Sequence, residues 1–221
     1  MCGRFAVTLP SDAMAQLFQA RPANDLPDVP NYNICPTNAV HVVTSEDGVR
    51  ALQSFRWGFL PHWYKTPSDG PLLINARAET IAEKPAFKAA ARTRRCLIPA
   101  TGFYEWTKDE DGNRLPWYIS PKGDEPLAFA GVWQHWDKGD TGMNTCAIVT
   151  TGANLTMSQI HHRMPVILQE PDWPLWLGEA GHGAAKLMRA APEDALEFWR
   201  VDTAVNSNRA SGSKLVAAIV P

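Results

Sequence analysis

Residues 95–119 read RCLIPATGFYEWTKDEDGNRLPWYI. Residues 95–98 and 102–106 are rich in aliphatic and aromatic side chains, the composition of strands, and they flank the short break PAT. KDEDGN, residues 108–113, has turn chemistry, and residues 116–119 read as the strand that returns. Strands joined by so few residues run antiparallel, because a parallel partner needs a crossover of roughly a dozen residues or more. The same pattern extends outward. Residues 40–44 and 49–57 form an expected hairpin around SEDG, and residues 127–136 and 143–151 another around DKGDTG. Short strands are also expected at 2–8, in PVIL after residues 159–164, and near 215–220.

Helices are few. Residues 12–20 read as a helix with Ser11 as N-cap, residues 79–91 as a second, and 173–177 and 193–199 as two short ones. Residues 22–36, rich in Pro, Asn and Asp, read as a long irregular connection, and 59–71 as loop. No repeat or low-complexity linker divides the chain. The expected fold is therefore α+β: a single domain over residues 1–221 with a β-rich core of mostly antiparallel, curved sheet and flanking helices.

The net charge of −2 argues against a non-specific polyanion binder. The distribution is uneven, however. Residues 75–96 carry Arg77, Lys84, Lys88, Arg92, Arg94 and Arg95 against Glu79 and Glu83, whereas residues 166–197 are acidic. One basic side is enough to hold an anion locally, although two solvated helix faces give the same pattern. The four cysteines, Cys2, Cys35, Cys96 and Cys146, fit neither a zinc pattern nor a CxxC redox pair. With no signal peptide and no apolar run of about 20 residues, a cytoplasmic protein with free thiols is expected, without a membrane span, metal or cofactor.

Cys2 is the most unusual residue. Chain ends fray and exposed thiols oxidise, so this is a poor position for a structural cysteine. Removal of the initiator methionine before a small residue leaves a cysteine carrying both an α-amine and a thiol. Such an amine has a pKa of roughly 8, so a useful fraction is neutral and nucleophilic near neutrality. It can attack an aldehyde to form an imine, and the thiol can close on the imine carbon to form a thiazolidine. In GFYEW, strand alternation puts Phe103 and Glu105 on one face and Tyr104 and Trp106 on the other. Loss of hydration there raises a carboxyl pKa toward the range of a proton shuttle.

Three further stretches carry candidate chemistry. In IHHRMP, adjacent His161 and His162 are expected to point apart, which suits acid/base work by one of them better than shared metal ligation. Arg163 offers a bidentate phosphate contact. In INARAET, Asn75 and Arg77 share a face if the segment is extended, one to orient a polar reactant and one to hold an anion. In RWGFLPHWY, Trp63 or Tyr64 offers a stacking surface for nucleobases, with core packing as the alternative.

Taken together and in this order, MCGRF, YNICPT, RWGFLPHW, INARAET, RCLIPATGFYEW and IHHRMPVIL resemble the SRAP family, named for "SOS-response-associated peptidase". The resemblance runs from Cys2 to about Asn206. It implies a DNA-damage protein that binds single-stranded DNA at an abasic site and joins the exposed aldehyde to its N-terminal cysteine as a thiazolidine. By motif, it implies Cys2 as nucleophile, Glu105 as proton shuttle, His161 as the group managing the opened sugar, and Asn75 as the group positioning the Cys2 amine. It further implies phosphate contacts from Arg4, Arg77 and Arg163, a strand-parting role for Trp63, and a groove-lining role for Asn33. His162, Tyr64 and Cys35 depart from the commonest family pattern, and Cys35 reads as a small packing residue. A monomer is expected, associated with the nucleoid if bacterial. Two other readings stay open: a thiol peptidase releasing its own Met1 through Cys2, His161 and Glu105, and a non-covalent single-strand binder.

Overall fold

The computed structural model describes residues 2–123, 125–138 and 142–219. In chain order the elements are β1 (Phe5–Val7), α1 (Ser11–Leu17), β2 (Arg21–Pro22), β3 (Asn31–Ile34), β4 (Ala39–Glu46), β5 (Val49–Trp57) and β6 (Asn75–Arg77). There follow α2 (Lys88–Thr93), β7 (Arg95–Ala100), β8 (Gly102–Lys108), β9 (Arg114–Pro121), β10 (Leu127–Trp136) and β11 (Met143–Gly152). The chain continues through α3 (Leu155–Ser158), β12 (Arg163–Pro165), α4 (Trp173–Leu177) and β13 (Leu196–Arg200), with short 3-10 turns between and after them. The architecture is α+β, dominated by antiparallel pairing. No helix among the described residues is long and apolar enough to cross a membrane.

The β-core is two sheets rather than one. The first has the order β13-β9-β8-β1-β3, and the second β12-β11-β10-β7-β4-β5-β2, with β6 paired to β11. The division falls within RCLIPATGFYEW. β7 pairs with β10 and β4, while β8 pairs with β1 and β9. PAT is thus not a hairpin turn but the corner where the chain leaves one sheet for the other. Thr101 secures that corner to β1: its amide donates to Ala6 O at 2.7 Å, and its Oγ1 accepts from the Thr8 amide at 2.8 Å.

Aromatic side chains fill the space between the sheets. Phe5 meets Trp57 edge-on at 5.0 Å and Phe129 at 5.9 Å, and Phe103 meets Phe129 at 5.9 Å. Phe103 therefore faces inward, and by alternation so does Glu105, whose residue exposure is only 3%. Tyr104 faces outward but is also buried. It joins Ala6, Tyr118, Val201, Val205 and Leu215 in a second cluster, which the C-terminal segment covers.

Several local expectations need correction. Residues 22–36 contain β3, whose four residues NYNI alternate too briefly to stand out from the Pro, Asn and Asp around them; pairing with β1 supplies the order. The helix expected over 79–91 shrinks to Lys88–Thr93, because Pro85 cannot continue an interior helical ladder. Residues 196–200 form β13 against β9 instead of a helix, burying Leu196. The expected last strand is a 3-10 turn, Ser213–Val216, with one bridge from Ala218 to Val201; residue 220 lies outside the described residues. Ser11 does not cap α1, whose N-cap is Pro10; its hydroxyl meets His41 Nε2 at 3.2 Å. The hairpin around SEDG forms as read. Asp47 and Gly48, with φ of 50° and 78°, make the two-residue turn whose twist suits a hairpin. β10 and β11 also pair as expected, although residues 139–141 of their turn lie outside the described residues.

Candidate functional site

The site gathers where the open end of the inter-sheet space meets the start of the chain. Cys2 precedes β1 and is fully buried. Asn75, the first residue of β6, donates from Nδ2 to the Cys2 carbonyl at 2.8 Å. β6 reaches this point because it pairs in parallel with β11, Asn75 opposite Ile148. Burial pushes the Cys2 thiol well above its ordinary range, and the Glu105 carboxylate adds to the push. Glu105 arrives from β8. Burial raises its own carboxyl to about 7, with the nearby Arg114 charge opposing.

His161 lies in the turn between α3 and β12. Its Nδ1 accepts the Arg163 amide at 3.0 Å and lies 4.0 Å from Glu105 Oε1. The same nitrogen lies 3.2 Å from the Arg163 carbonyl oxygen. Burial lowers the His161 pKa, which favours the neutral ring. The two histidines do not point apart as expected: their rings stack at 4.4 Å, because the segment turns instead of extending.

Two cavities reach residues that adjoin Cys2, Gly3 in one and Asn75 in the other. One, of about 310 Å³, is lined by Gly3, Arg4, Glu105, Trp106, Arg114 and His161, with Thr107 and Lys108 at its side. The other, of about 410 Å³, includes Trp63, Asn75, Arg77, Lys84 and Phe87 among its lining residues. Asn75 and Arg77 do share a face, with Ala76 between them turned into the core. Trp63 is 47% exposed at the second cavity, whereas Tyr64, which also lines it, is buried against Leu60 and Trp136, so of the two Trp63 presents the exposed ring.

The remaining candidates are more constrained than their sequence suggests. Arg4 donates from Nη1 to Asn33 Oδ1 at 2.6 Å and to Val205 O at 2.9 Å. Asn33 in turn donates to Ser207 O and Ala210 O. Cys35 is half-buried, its thiol directed at the Asn33 carbonyl. Arg163 is buried, and its fork holds Glu79 at 2.6 and 2.9 Å instead of facing an open groove. Part of the basic run is structural: Arg94 and Arg95 donate to backbone carbonyls, including those of Trp133 and Trp176. Among the described residues, no three His, Cys, Asp or Glu side chains gather into a metal-binding group. Sequence reasoning missed Lys108 and Arg114 in the Glu105 cavity. The turn KDEDGN held the signal, since it sets these two cations opposite each other.

Comparison with known proteins fits this arrangement. The family model described as SOS response associated peptidase (SRAP) matches residues 1–208. The chain is 34% identical to the abasic site processing protein YoaM of Bacillus subtilis, over 99% of this chain and 98% of that protein. It is 28% identical to the abasic site processing protein YedK of Escherichia coli, over 99% and 100%. A crystal structure of a protein from Bacteroides thetaiotaomicron shares the fold with a TM-score of 0.87, at 24% identity, covering 99% of this chain and 100% of that one. The chain belongs to the SOS response associated peptidase (SRAP) family.

Proposed function

We propose that this protein processes abasic sites in single-stranded DNA by forming a covalent thiazolidine link through Cys2 once Met1 has been removed. The names of the relatives support the substrate, and one observation carries the chemistry: Cys2 lies between Asn75, which holds its carbonyl, and Glu105, whose carboxyl is poised near neutrality. The α-amine of Cys2 adds to the C1 aldehyde of the opened sugar to give a carbinolamine. Glu105 in its protonated form donates to the departing hydroxyl, water leaves, and the C=N bond forms. The Cys2 sulfur then adds to the imine carbon and its proton passes to the nitrogen. The ring closes with one water released and no change of oxidation state. His161, its ring favoured in the neutral form by burial, serves the sugar hydroxyl that ring opening produces. Arg4, Arg77, Trp63 and Asn33 line the path of the strand, and Arg163 supports it from behind Glu79.

A peptidase reading has only the family's description behind it, whereas the relatives are named for abasic-site processing. Intact-mass analysis after incubation with an abasic single-stranded oligonucleotide tests the proposal. The expected result is a mass equal to protein plus oligonucleotide less one water, surviving denaturation. Cys2→Ala is expected to remove it entirely; an undiminished adduct in that variant would exclude Cys2 as the nucleophile.

A further inference from the structure

We infer that Lys108 and Arg114, paired across the β8–β9 hairpin, form a phosphodiester-binding clamp on the Glu105 side of Cys2. The inference rests on the single-stranded DNA reading above and adds a binding element to it. Lys108 and Arg114 stand directly opposite each other in the antiparallel ladder, and both are exposed. Like charges placed so are destabilising in a free protein. Neither residue forms an ion pair among the described residues. The carboxylates of the adjoining turn are held elsewhere or exposed, Asp109 being bound to Asn113 at 2.8 and 2.9 Å. An anion between the two cations resolves the conflict.

The surroundings aim the clamp at the site. Both residues line the cavity that contains Glu105 and His161. The Arg114 guanidinium lies 4.5 Å from the Trp106 ring centroid, and that of Arg4 lies 5.8 Å from the same ring. One indole thus organises two guanidinium groups on one wall. Asn206 fixes this wall from the C-terminal segment: its Oδ1 accepts Trp106 Nε1–H at 2.6 Å, and its Nδ2 donates to Arg114 O at 3.2 Å. Arg77 lies in the other cavity, beyond Asn75. A strand that brings its lesion to Cys2 then meets cations on both sides, Arg77 on one and Arg114 with Lys108 on the other.

The test measures binding of an undamaged single-stranded oligonucleotide against salt concentration, alongside thermal unfolding of the free protein. Removing one cation–phosphate interaction flattens the slope of log K against log salt by about 0.7 for single strands. Arg114→Gln and Lys108→Gln are each expected to flatten it by about that amount. Arg114→Lys is expected to restore the slope, and Lys122→Gln, beyond the far end of β9, to leave it at the wild-type value. Lys108→Gln is expected to keep or raise the unfolding temperature, because it relieves a repulsion; a merely structural role would lower it. Unchanged slopes in both glutamine variants, or slopes that change only with loss of folded protein, overturn the clamp while leaving the crosslinking proposal intact. If wild-type protein neither binds nor crosslinks such strands, the functional reading itself falls and the clamp with it.

Discussion

Glu105 owes its chemistry to its position in a strand. Alternation from Phe103 turns it into the space between the sheets, and burial there raises its carboxyl to about 7. The ordinary value is 4.5, so the folded state binds the proton more tightly. Stability from this group is complete below about pH 4.5 and is lost as pH rises through 7. Glu105→Gln is therefore expected to stabilise the protein at pH 8 by about 1–3 kcal/mol, with little effect at pH 4, as measured by urea denaturation at both values. The same substitution is expected to slow crosslinking below pH 7 and to erase the decline of rate above it, as measured in single-turnover pH profiles. At this scale the sequence was informative about identity and less so about state. GFYEW indicated a desolvated carboxyl, but nothing in IHHRMP indicated that the two rings stack or that Arg163 faces Glu79. Those facts depend on β6 and β12 lying either side of β11, a long-range pairing with no local signature.

Among the elements, the hairpins were legible and the corner was not. SEDG and KDEDGN carry turn chemistry that needs only neighbouring residues, and β4–β5 and β8–β9 form around them. PAT sits between two strands of the right composition, yet its strands separate into different sheets. Gly102 shows what this corner demands. A Cβ there would lie 2.4 Å from Tyr118 Cζ and 2.6 Å from the Ile119 carbonyl oxygen, so β8 approaches β9 as only glycine allows. Gly102→Ala is expected to cost about 1–3 kcal/mol, measurable by chemical denaturation, and to lower crosslinking through the displaced β8. β13 and β3 were missed for a common reason. Each is only four or five residues long, and its pairing with β9 or β1 joins segments distant in sequence.

The whole molecule is bound together by contacts distant in sequence, and one of them responds to acid. His41 on β4 is buried, its Nε2 3.2 Å from the Ser11 hydroxyl on α1, and burial lowers its pKa to about 4. Its ordinary value is 6.5, so the unfolded chain takes up a proton that the folded state refuses. The stability this withholding provides is full above about pH 6.5 and drains away as pH falls toward 4, by on the order of 3 kcal/mol. Denaturation midpoints at pH 7.5 and 4.5 are expected to converge in His41→Gln more closely than in the wild type. Some members of the charged runs are taken up inside the fold. Arg50 holds Glu179 at 2.7 Å, Glu193 caps the amides of Leu155 and Thr156, and Arg95 serves backbone carbonyls.

Arg4 and Asn33 take their hydrogen-bond partners from Val205, Ser207 and Ala210, and Trp106 takes its partner from Asn206. Side chains translated early thus wait on residues translated much later. A nascent polypeptide holds these three side chains unanchored until residues 205–210 have left the ribosome. Under the proposed chemistry, a prematurely terminated product ending before residue 205 is expected to carry Cys2 without the wall beside it and to form no adduct in the intact-mass assay.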